Sequence, residues 1–401
     1  MRSLLWLLLS AIAFAQSGTV QTSHTTENLR GVSAVSRKVA WASGTHGTFL
    51  RTTDGGQTWI PAQVPDASTL DFRAVVAFSA DEAFLMSAGP GDQSRIYHTS
   101  DGGQHWQLQF TNTNPKGFFD SMAFWDARHG IVLGDPIPDE KGTLRFELLA
   151  TDDGQSWHAI LPSQLPEALE GEGAFAASNS CLALLRVETA GSVSTASSTA
   201  ERRLSAASGA GKDRASAPVA DDPNVWFATG GKTARVFHSR DRGKTWEVFN
   251  TPVLHGPESA GIFSIAFRDA LHGVIAGGDY KHPNDDGPNL AFTEDGGKTW
   301  TLSSLHPQAY FSAVAYDQQV NAAALRQQAA ERNRKKRTKT PIPPQRLFVI
   351  GDDFIFDFRP PNNPRRINGK KKQGFAVNAV SPYPEGGALV VGPKGTIAYI
   401  P

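Results

Sequence analysis

The chain has 401 residues; 40% are hydrophobic, 39 are Lys or Arg and 39 are Asp or Glu. This balance of charge argues against a general electrostatic attraction to nucleic acid or to anionic membranes. The 38 Gly, 25 Pro and 9 Trp indicate many turns and aromatic packing, and they argue against a mainly helical chain.

Residues 1–15 predict a cleavable signal peptide. Arg2 supplies the charged start, Leu4 to Phe14 the apolar stretch, and Ala13-Phe14-Ala15 a small-x-small cleavage site. The apolar run is too short to span a membrane, and a retained N-terminal anchor is the alternative. We therefore expect a periplasmic or secreted mature protein that begins near Gln16 and has no transmembrane segment.

One eight-residue pattern, Ser/Thr-x-Asp-x-Gly-x-x-Trp, occurs four times intact and once without its leading hydroxyl. The copies are Thr52, Asp54, Gly56 and Trp59; Thr99, Asp101, Gly103 and Trp106; Asp152, Gly154 and Trp157, after Ala150 in place of the hydroxyl; Ser239, Asp241, Gly243 and Trp246; and Thr293, Asp295, Gly297 and Trp300. The carboxylate and hydroxyl can accept hydrogen bonds from turn amides, and the glycine can adopt a positive φ. The tryptophan then returns on the next strand and packs between neighbouring sheets. The pattern therefore predicts a structural hairpin turn rather than five catalytic acids.

The spacing of these turns predicts the fold. Each box ends a unit of roughly 40 to 50 residues with four short strands, which is typical of a β-propeller blade. Units near 28–62, 69–112, 117–162, 172–251, 259–305, 309–359 and 374–401 predict an all-β, seven-bladed propeller as one domain over residues 16–401. Six or eight blades are the alternatives. The last unit is one strand short, so we expect Thr19 to Ser23 to complete it, which closes the ring and removes an exposed edge.

Two segments are predicted to be disordered insertions between the first and second strands of blades four and six, near 187–222 and 317–344. Basic runs at 332–339 and 370–372 are expected to be solvated loops, with contact to an anionic surface as the alternative. Because the protein is expected to be exported, we predict no nucleic-acid partner.

The sequence contains no recognisable metal or cofactor motif. There is no His-x-x-x-His or paired-Cys spacing, no Gly-rich phosphate loop and no Gly-x-Ser-x-Gly elbow. We expect no metal and no cofactor. The lone Cys181 lies in an apolar run and is expected to be buried rather than reactive.

Polar residues at blade-equivalent positions predict a site at one mouth of the central channel. The turns between the second and third strands lie on the face opposite the boxes, together with the starts of the first strands. The candidates on that face are His46, Asp135, Lys232, Asp279, Asp352 and Lys394 in the turns, and Arg30, Arg73, Asp120 and Phe311 at the strand starts. Gathered carboxylates could bind a cation or shift one another's pKa for acid–base chemistry. Ordinary solvent-facing turns are the alternative.

The boxes resemble the BNR or Asp-box repeats of sialidases, sortilins and several glycoside hydrolases. The segment from Gly47 to Trp59, following Asn28 to Val32, is most similar to the photosystem II assembly and stability factor family. This resemblance implies a propeller that binds a protein partner as an assembly scaffold.

We therefore expect an exported, non-catalytic scaffold in the cell envelope, monomeric, with an envelope protein or a glycan as partner. The alternative is a glycoside hydrolase that uses two carboxylates, Asp135 with Asp279 or Asp352, whose separation would predict the stereochemistry. The early Arg-Ile-Pro motif of sialidases is absent.

Overall fold

The computed structural model describes residues 18–161, 164–165, 167–185, 222–304, 309–317, 346–351, 354–359, 363–366 and 376–401. The predicted signal peptide, nearly all of the two predicted insertions, both basic runs and Asp352 lie outside these residues.

The described strands form seven antiparallel sheets arranged as the seven blades of a β-propeller, which confirms the predicted fold. Blade one contains β2 (Leu29–Ala34), β3 (Ala40–Gly44), β4 (Thr48–Thr52) and β5 (Ile60–Gln63); blade two contains β6 (Asp71–Ala77), β7 (Ala83–Ala88), β8 (Arg95–Thr99) and β9 (Gln107–Thr111). Blade three contains β10 (Phe119–Phe124), β11 (Gly130–Pro138), β12 (Leu144–Thr151) and β13 (His158–Ala159); blade four contains β15 (Leu182–Leu184), β16 (Val225–Ala228), β18 (Arg235–Ser239) and β19 (Glu247–Asn250). Blade five contains β20 (Ala260–Phe267), β21 (Gly273–Asp279), β22 (Leu290–Thr293) and β23 (Thr301–Leu302); blade six contains β24 (Phe311–Tyr316), β25 (Leu347–Gly351), β26 (Phe354–Arg359) and β27 (Asn363–Arg366). Blade seven contains β28 (Ala379–Pro382), β29 (Ala388–Gly392), β30 (Thr396–Ile400) and β1 (Thr19–Gln21), and two short strands, β14 (Glu172–Gly173) and β17 (Gly230–Gly231), join the edge of the fifth sheet.

The N-terminal strand closes the ring as predicted. β1 pairs with β30, from Thr19 opposite Tyr399 to Gln21 opposite Ile397. The first and last blades are also joined by Asn378, whose Nδ2 donates to Asn28 Oδ1 at 2.8 Å and to the Leu29 carbonyl at 2.7 Å. Both ends of the chain are therefore tied into the same junction.

The core consists of the spaces between blades. Every residue of β3, β7 and β29 is buried, whereas β5 is mostly exposed. Strands of the second position are covered on both faces by neighbouring sheets, so most of their residues are apolar and they do not alternate between apolar and polar. Seven separate hydrophobic clusters result, and each combines residues from two adjacent blades.

Serine hydroxyls link neighbouring inner strands, a feature that the sequence analysis did not identify. Ser33 Oγ accepts from the Ala77 amide at 3.0 Å, Ser264 Oγ from Val314 at 2.8 Å, and Ser381 Oγ from Ala34 at 3.0 Å. Since inner strands of adjacent blades do not share a ladder, these side chains satisfy amides that would otherwise be buried without an acceptor.

Four of the five boxes have the hydrogen bonds expected from their sequence. In the first, Thr52 Oγ1 accepts from the Gly56 amide and Asp54 Oδ1 from the Thr58 amide, both at 2.9 Å, while Gly56 has a φ of 81°. The boxes that begin at Thr99, Ser239 and Thr293 repeat this pattern.

The remaining box is built from different residues than the sequence pattern suggested. Thr151 Oγ1 accepts from the Gly154 amide at 2.9 Å, and Asp153 Oδ1 accepts from Gln155 and Ser156 amides at 2.8 Å. Thr151 lies opposite Gly130 in the ladder, as Thr293 lies opposite Gly273 in blade five. The prediction that Asp152 is the box aspartate is therefore wrong: the turn is one residue shorter and keeps its hydroxyl, and the side chain of Asp152 is 79% exposed.

Candidate functional site at the channel mouth

A β-bulge interrupts the innermost strand of five blades at equivalent positions. The extra residue in each bulge has no partner in the ladder to the second strand, and these residues are Arg30, Arg73, Asp120, Phe263 and Ser312. A bulge redirects a side chain that would otherwise follow the strand's alternation. Arg30, Arg73 and Asp120 were predicted at these positions. In blade six the predicted residue was Phe311, which is fully buried in the core between blades five and six, and the bulged residue is Ser312.

The bulged side chains are preceded by a large apolar residue and followed by a small one. Examples are Leu29-Arg30-Gly31, Phe119-Asp120-Ser121 and Ile262-Phe263-Ser264. Phe263 and Ser312 fit the same pattern, which is the sequence signal that these two positions share with the others. We define the channel mouth as the five bulged residues with the side chains and the segment that contact them.

In blade four the inner strand, β15, is only three residues long and does not extend to the channel mouth. A regular blade was predicted over 172–251, but residues 172–181 form a strap that crosses between blades. Glu172–Gly173 pairs with Gly230–Gly231, and Gly230 pairs with Gly261 of blade five. The backbones of these strands approach so closely that glycine is required, because a Cβ on Gly261 would lie 2.3 Å from the Gly230 Cα.

The strap contacts four other blades. The Ala174 amide donates to Asp135 Oδ1 at 3.0 Å in blade three, and Ser178 Oγ donates to the Ser312 carbonyl at 2.7 Å in blade six. Ser180 Oγ donates to Ser264 Oγ at 2.7 Å in blade five. Arg73 of blade two completes the set, because its Nη1 donates to the Ala176 carbonyl at 2.8 Å.

A buried ion pair anchors the start of the strap. Arg235 Nε donates to Glu172 Oε1 at 2.9 Å, and the Thr229 hydroxyl donates to the same oxygen at 2.6 Å. The side chain of Glu172 has no exposed surface and that of Arg235 is 9% exposed. Both charges are thus removed from water and paired with each other.

Three acids lie together where the strap meets blade three. Asp120 is 1% exposed, and neither of its carboxylate oxygens accepts a hydrogen bond from a described residue. Burial, followed by the like charge of Asp135, raises the pKa of Asp120 well above its ordinary value, and Arg73 opposes this only in part. Burial also raises the pKa of Asp135 and of Glu147. The group therefore holds protons to higher pH than ordinary carboxyls do.

Asp135 is not a turn residue, contrary to the prediction. β11 continues to Pro138, and Asp135 is the extra residue of a second bulge, between Gly134 opposite Glu147 and Pro136 opposite Phe146. This bulge on the second strand lies beside the bulge of Asp120 on the first. The neighbouring acid, Glu147, was not identified from the sequence, because it lies within a strand and carries no turn signal.

Arg73 lies near Asp120, and Arg30 lies near Arg73. Arg73 Nε donates to Asp71 Oδ2 at 2.9 Å. Arg30 Nε is buried and donates to no described residue, while burial and then the like charge of Arg73 lower the pKa of Arg30. The charges of Asp71 and Tyr310 act in the opposite direction on the pKa of Arg30, so Arg30 lies near blade two and near the residue that precedes blade six.

An aromatic wall forms the side of the mouth next to blade five. Phe175 of the strap stacks on Phe263, with ring centroids 3.9 Å apart and an interplanar angle of 12°. Phe263 also meets Tyr310 and Tyr280 edge to face. Tyr280 is 48% exposed, so part of this wall faces solvent.

Two of the predicted site residues, His46 and Lys232, each pair with one exposed or partly exposed acid. His46 Nδ1 lies 2.7 Å from Glu27 Oε2, and this hydrogen bond raises the pKa of His46. Lys232 Nζ donates to Glu170 at 3.0 Å, and its side chain is 55% exposed.

Asp279 caps its own turn. It accepts from the Lys281 amide at 2.9 Å and lies 2.9 Å from His282 Nδ1; although burial raises the pKa of Asp279, these hydrogen bonds lower it overall. Lys394 is an exposed turn residue with a φ of 57°. Asp352, the third of the proposed acids, lies outside the described residues.

Within the described part of the chain, no three His, Cys, Asp or Glu side chains are placed to hold a metal ion. No helix in the same residues is long and apolar enough to cross a membrane.

The fold and its turns define this protein as an Asp-box β-propeller with a polar and aromatic mouth. A family model described as photosynthesis system II assembly factor YCF48 matches residues 13–116. The photosystem II stability/assembly factor HCF136, chloroplastic, of Oryza sativa subsp. japonica is 36% identical over 67 residues, 16% of this chain and 15% of that protein. The match thus spans only a small part of that relative's length.

Solved structures share the fold over nearly the whole chain. YCF48 bound to a D1 peptide aligns with a TM-score of 0.59 at 15% identity, covering 96% of this chain and 94% of that chain. A catalytically inactive virginiamycin B lyase from Staphylococcus aureus with quinupristin aligns with a TM-score of 0.54 at 10% identity, covering 95% and 97%. At these identities the likeness shows the fold alone, which hosts both binding proteins and enzymes.

The comparisons confirm the resemblance inferred from the boxes. The chain is a BNR-type β-propeller similar to the photosystem II assembly factors.

Proposed function

We propose that this protein is an exported, non-catalytic β-propeller that binds a protein partner at the channel mouth and acts as an assembly scaffold in the cell envelope. The observation that carries this proposal is the mouth itself. Bulges at equivalent positions in five blades direct side chains of different chemistry to one place, and a strap anchored by a buried ion pair holds that place in shape.

A rigid surface of this kind favours binding, because little conformational entropy is lost when a partner docks. The mouth offers an arginine with an uncommitted Nε, one buried and two partly buried acids, and a partly exposed aromatic wall. Aromatic and arginine side chains are the residues that most often dominate protein–protein affinity. The similarity to assembly factors, one of which has been solved with a bound peptide, supports a protein rather than a small molecule as the partner.

The test of partner binding uses the purified mature protein immobilised and exposed to an envelope extract. Captured proteins are cross-linked to the propeller, and mass spectrometry then identifies each protein and the propeller residues to which it is linked. We expect Arg30→Gln to weaken capture, whereas Arg240→Gln, on a box turn of the opposite face, leaves it unchanged. Cross-links that map to the box face, or capture insensitive to Arg30→Gln, would contradict binding at the mouth.

Export is tested separately. Expression of the full chain in a bacterium with a periplasm should give a processed protein in the osmotic-shock fraction. N-terminal sequencing should start near Gln16. An unprocessed chain retained with the membrane would support an uncleaved anchor instead.

A further inference from the structure

Among the described residues, the mouth leaves more acceptor atoms than donor atoms without a hydrogen-bond partner. Asp120 Oδ1, Asp120 Oδ2 and Asp71 Oδ1 are buried and accept no hydrogen bond from the described residues. Buried carboxylate oxygens nearly always have partners, and an unmet one costs free energy. Three such atoms in one place indicate that the mouth is shaped to receive a group that donates.

The charges lead to the same conclusion. Among the described residues that influence Asp120 and Arg30, the acids Asp71, Asp120, Asp135 and Glu147 outnumber the bases Arg30 and Arg73. Two donors of Arg73 are already used, by Asp71 at 2.9 Å and by the Ala176 carbonyl at 2.8 Å. The unmet acceptors therefore favour an incoming positive charge.

We propose that the acidic part of the mouth, Asp120 with Asp135 and Glu147, binds the side chain of a Lys or Arg presented by the protein partner; this rests on the proposed function. A guanidinium fits best, because its planar donors can reach two carboxylates at once. A metal ion fits poorly, since the described residues contain no group of three ligands at metal-binding distances.

Binding of such a cation is coupled to proton release. Burial and the neighbouring Asp135 keep Asp120 protonated beyond its ordinary range. The other ionisable groups around it are Glu147 on β12, Arg73 on β6 and the buried Cys181 thiol. A bound guanidinium favours the ionised carboxylate, so the proton leaves when the cation arrives. Affinity should therefore rise with pH above about 4, the ordinary pKa of an aspartate.

The experiment measures binding of the peptide acetyl-Ala-Arg-Ala-amide by calorimetry, beside the same peptide with citrulline, which has the shape of arginine without its charge. We expect the arginine peptide to bind roughly tenfold or more tightly than the citrulline peptide, the scale of a charge-assisted hydrogen bond. Asp120→Asn should abolish this difference. Glu140→Gln, an exposed acid on the blade-three turn between β11 and β12, should retain it.

Equal affinity for the two peptides, no binding up to millimolar concentration, or a preference that survives Asp120→Asn would overturn the proposal. Circular dichroism melts of Asp120→Asn separate loss of binding from loss of fold. If an envelope partner is captured equally well by the wild type and by Asp120→Asn, this inference is contradicted and the proposed function stands. If the peptide binds through its arginine but no envelope partner is captured, the proposed function is contradicted and the cation site stands.

Discussion

The indole Nε1 of Trp59 donates a hydrogen bond to Gln21 Oε1 at 2.9 Å, and the amide nitrogen of Gln21 donates to the Gly55 carbonyl at 3.3 Å. Gln21 lies on the strand that completes blade seven, whereas Trp59 and Gly55 belong to the box of blade one. One side chain thus bridges the junction where the ring closes.

Gln109 repeats this bridge between blades two and three. Trp157 Nε1 donates to Gln109 Oε1 at 3.0 Å, and Gln109 Nε2 donates to the Gly154 carbonyl at 2.9 Å. The outer strand of one blade therefore recognises the box of the next in two places.

Loss of either bridge should lower stability. Gln21→Ala and Gln109→Ala each remove two hydrogen bonds and deprive an indole of its acceptor, so we expect each to cost about 1–3 kcal/mol of unfolding free energy. Chemical denaturation measures this cost. Gln107→Ala, two residues from Gln109 on the same strand and exposed, is the matched control and should change little. An equal effect of Gln107→Ala and Gln109→Ala would show that the bridge is unimportant.

The shortened box of blade three gives a second test. Asp153→Ala removes the acceptor for two turn amides and should lower the melting temperature measurably, as the loss of a helix cap does. Asp152→Ala should change the stability by less than about 0.5 kcal/mol, because that side chain is exposed. Thermal melts of the two variants suffice. If Asp152→Ala were the more damaging, the assignment of the box to Thr151 and Asp153 would be incorrect.

The pH dependence of stability should reveal Asp120. Its pKa is raised by folding, so the native state binds an extra proton above the ordinary pKa of about 4. The stabilising contribution is complete below that pH and is lost as pH rises through the folded pKa. Asp120→Asn does not titrate, so its stability relative to the wild type should increase from pH 4 to pH 8: its free energy of unfolding should rise against that of the wild type.

Asp101 provides a control of opposite sign. Hydrogen bonds from the backbone and then the side chain of His105 lower the pKa of Asp101 to about 2. Its contribution is present above the ordinary pKa and is lost as pH falls through the folded one. Asp101→Asn should therefore become less stable relative to the wild type as pH rises from about 2 to about 5, and the difference should then stay constant up to pH 8. A flat difference for Asp120→Asn from pH 4 to pH 8 would mean that the carboxyl is solvated.

Removing one partner of the ion pair between Glu172 and Arg235 should strongly lower the free energy of unfolding. Glu172→Gln leaves the Arg235 guanidinium buried without its carboxylate, and we expect a loss of about 3–5 kcal/mol. Glu170→Gln, two residues earlier, removes an exposed partner of Lys232 and should cost less than about 1 kcal/mol. Equilibrium unfolding in urea compares them, and similar losses would argue against the strap being anchored by Glu172.

Cys181 offers a probe of the strap's end. The thiol is fully buried and burial raises its pKa, so it is a poor nucleophile in the native protein. We expect negligible labelling by a thiol reagent at pH 8 until denaturant is added, and stoichiometric labelling afterwards. Rapid labelling of the native protein would show that this region opens readily.

Much of the architecture could be read from the sequence because the devices that build it are local. A hydroxyl, a carboxylate and a glycine within eight residues specify a turn whatever surrounds them. The shortened box of blade three could not be assigned correctly from the sequence. Only the pairing of Thr151 with Gly130 in the ladder shows that Thr151, and not Ala150, occupies the hydroxyl position.

The sequence by itself determined the seven blades, the box turns and the closure by the N-terminal strand, because each follows from apolar runs and turn residues close together in the chain. The tertiary structure alone decided that the strap of residues 172–181 crosses the channel mouth and that Asp120, Asp135 and Glu147 meet there. These contacts join residues far apart in the chain, through bulges whose direction depends on neighbouring strands. No local pattern encodes which side chains will face one another across a ring.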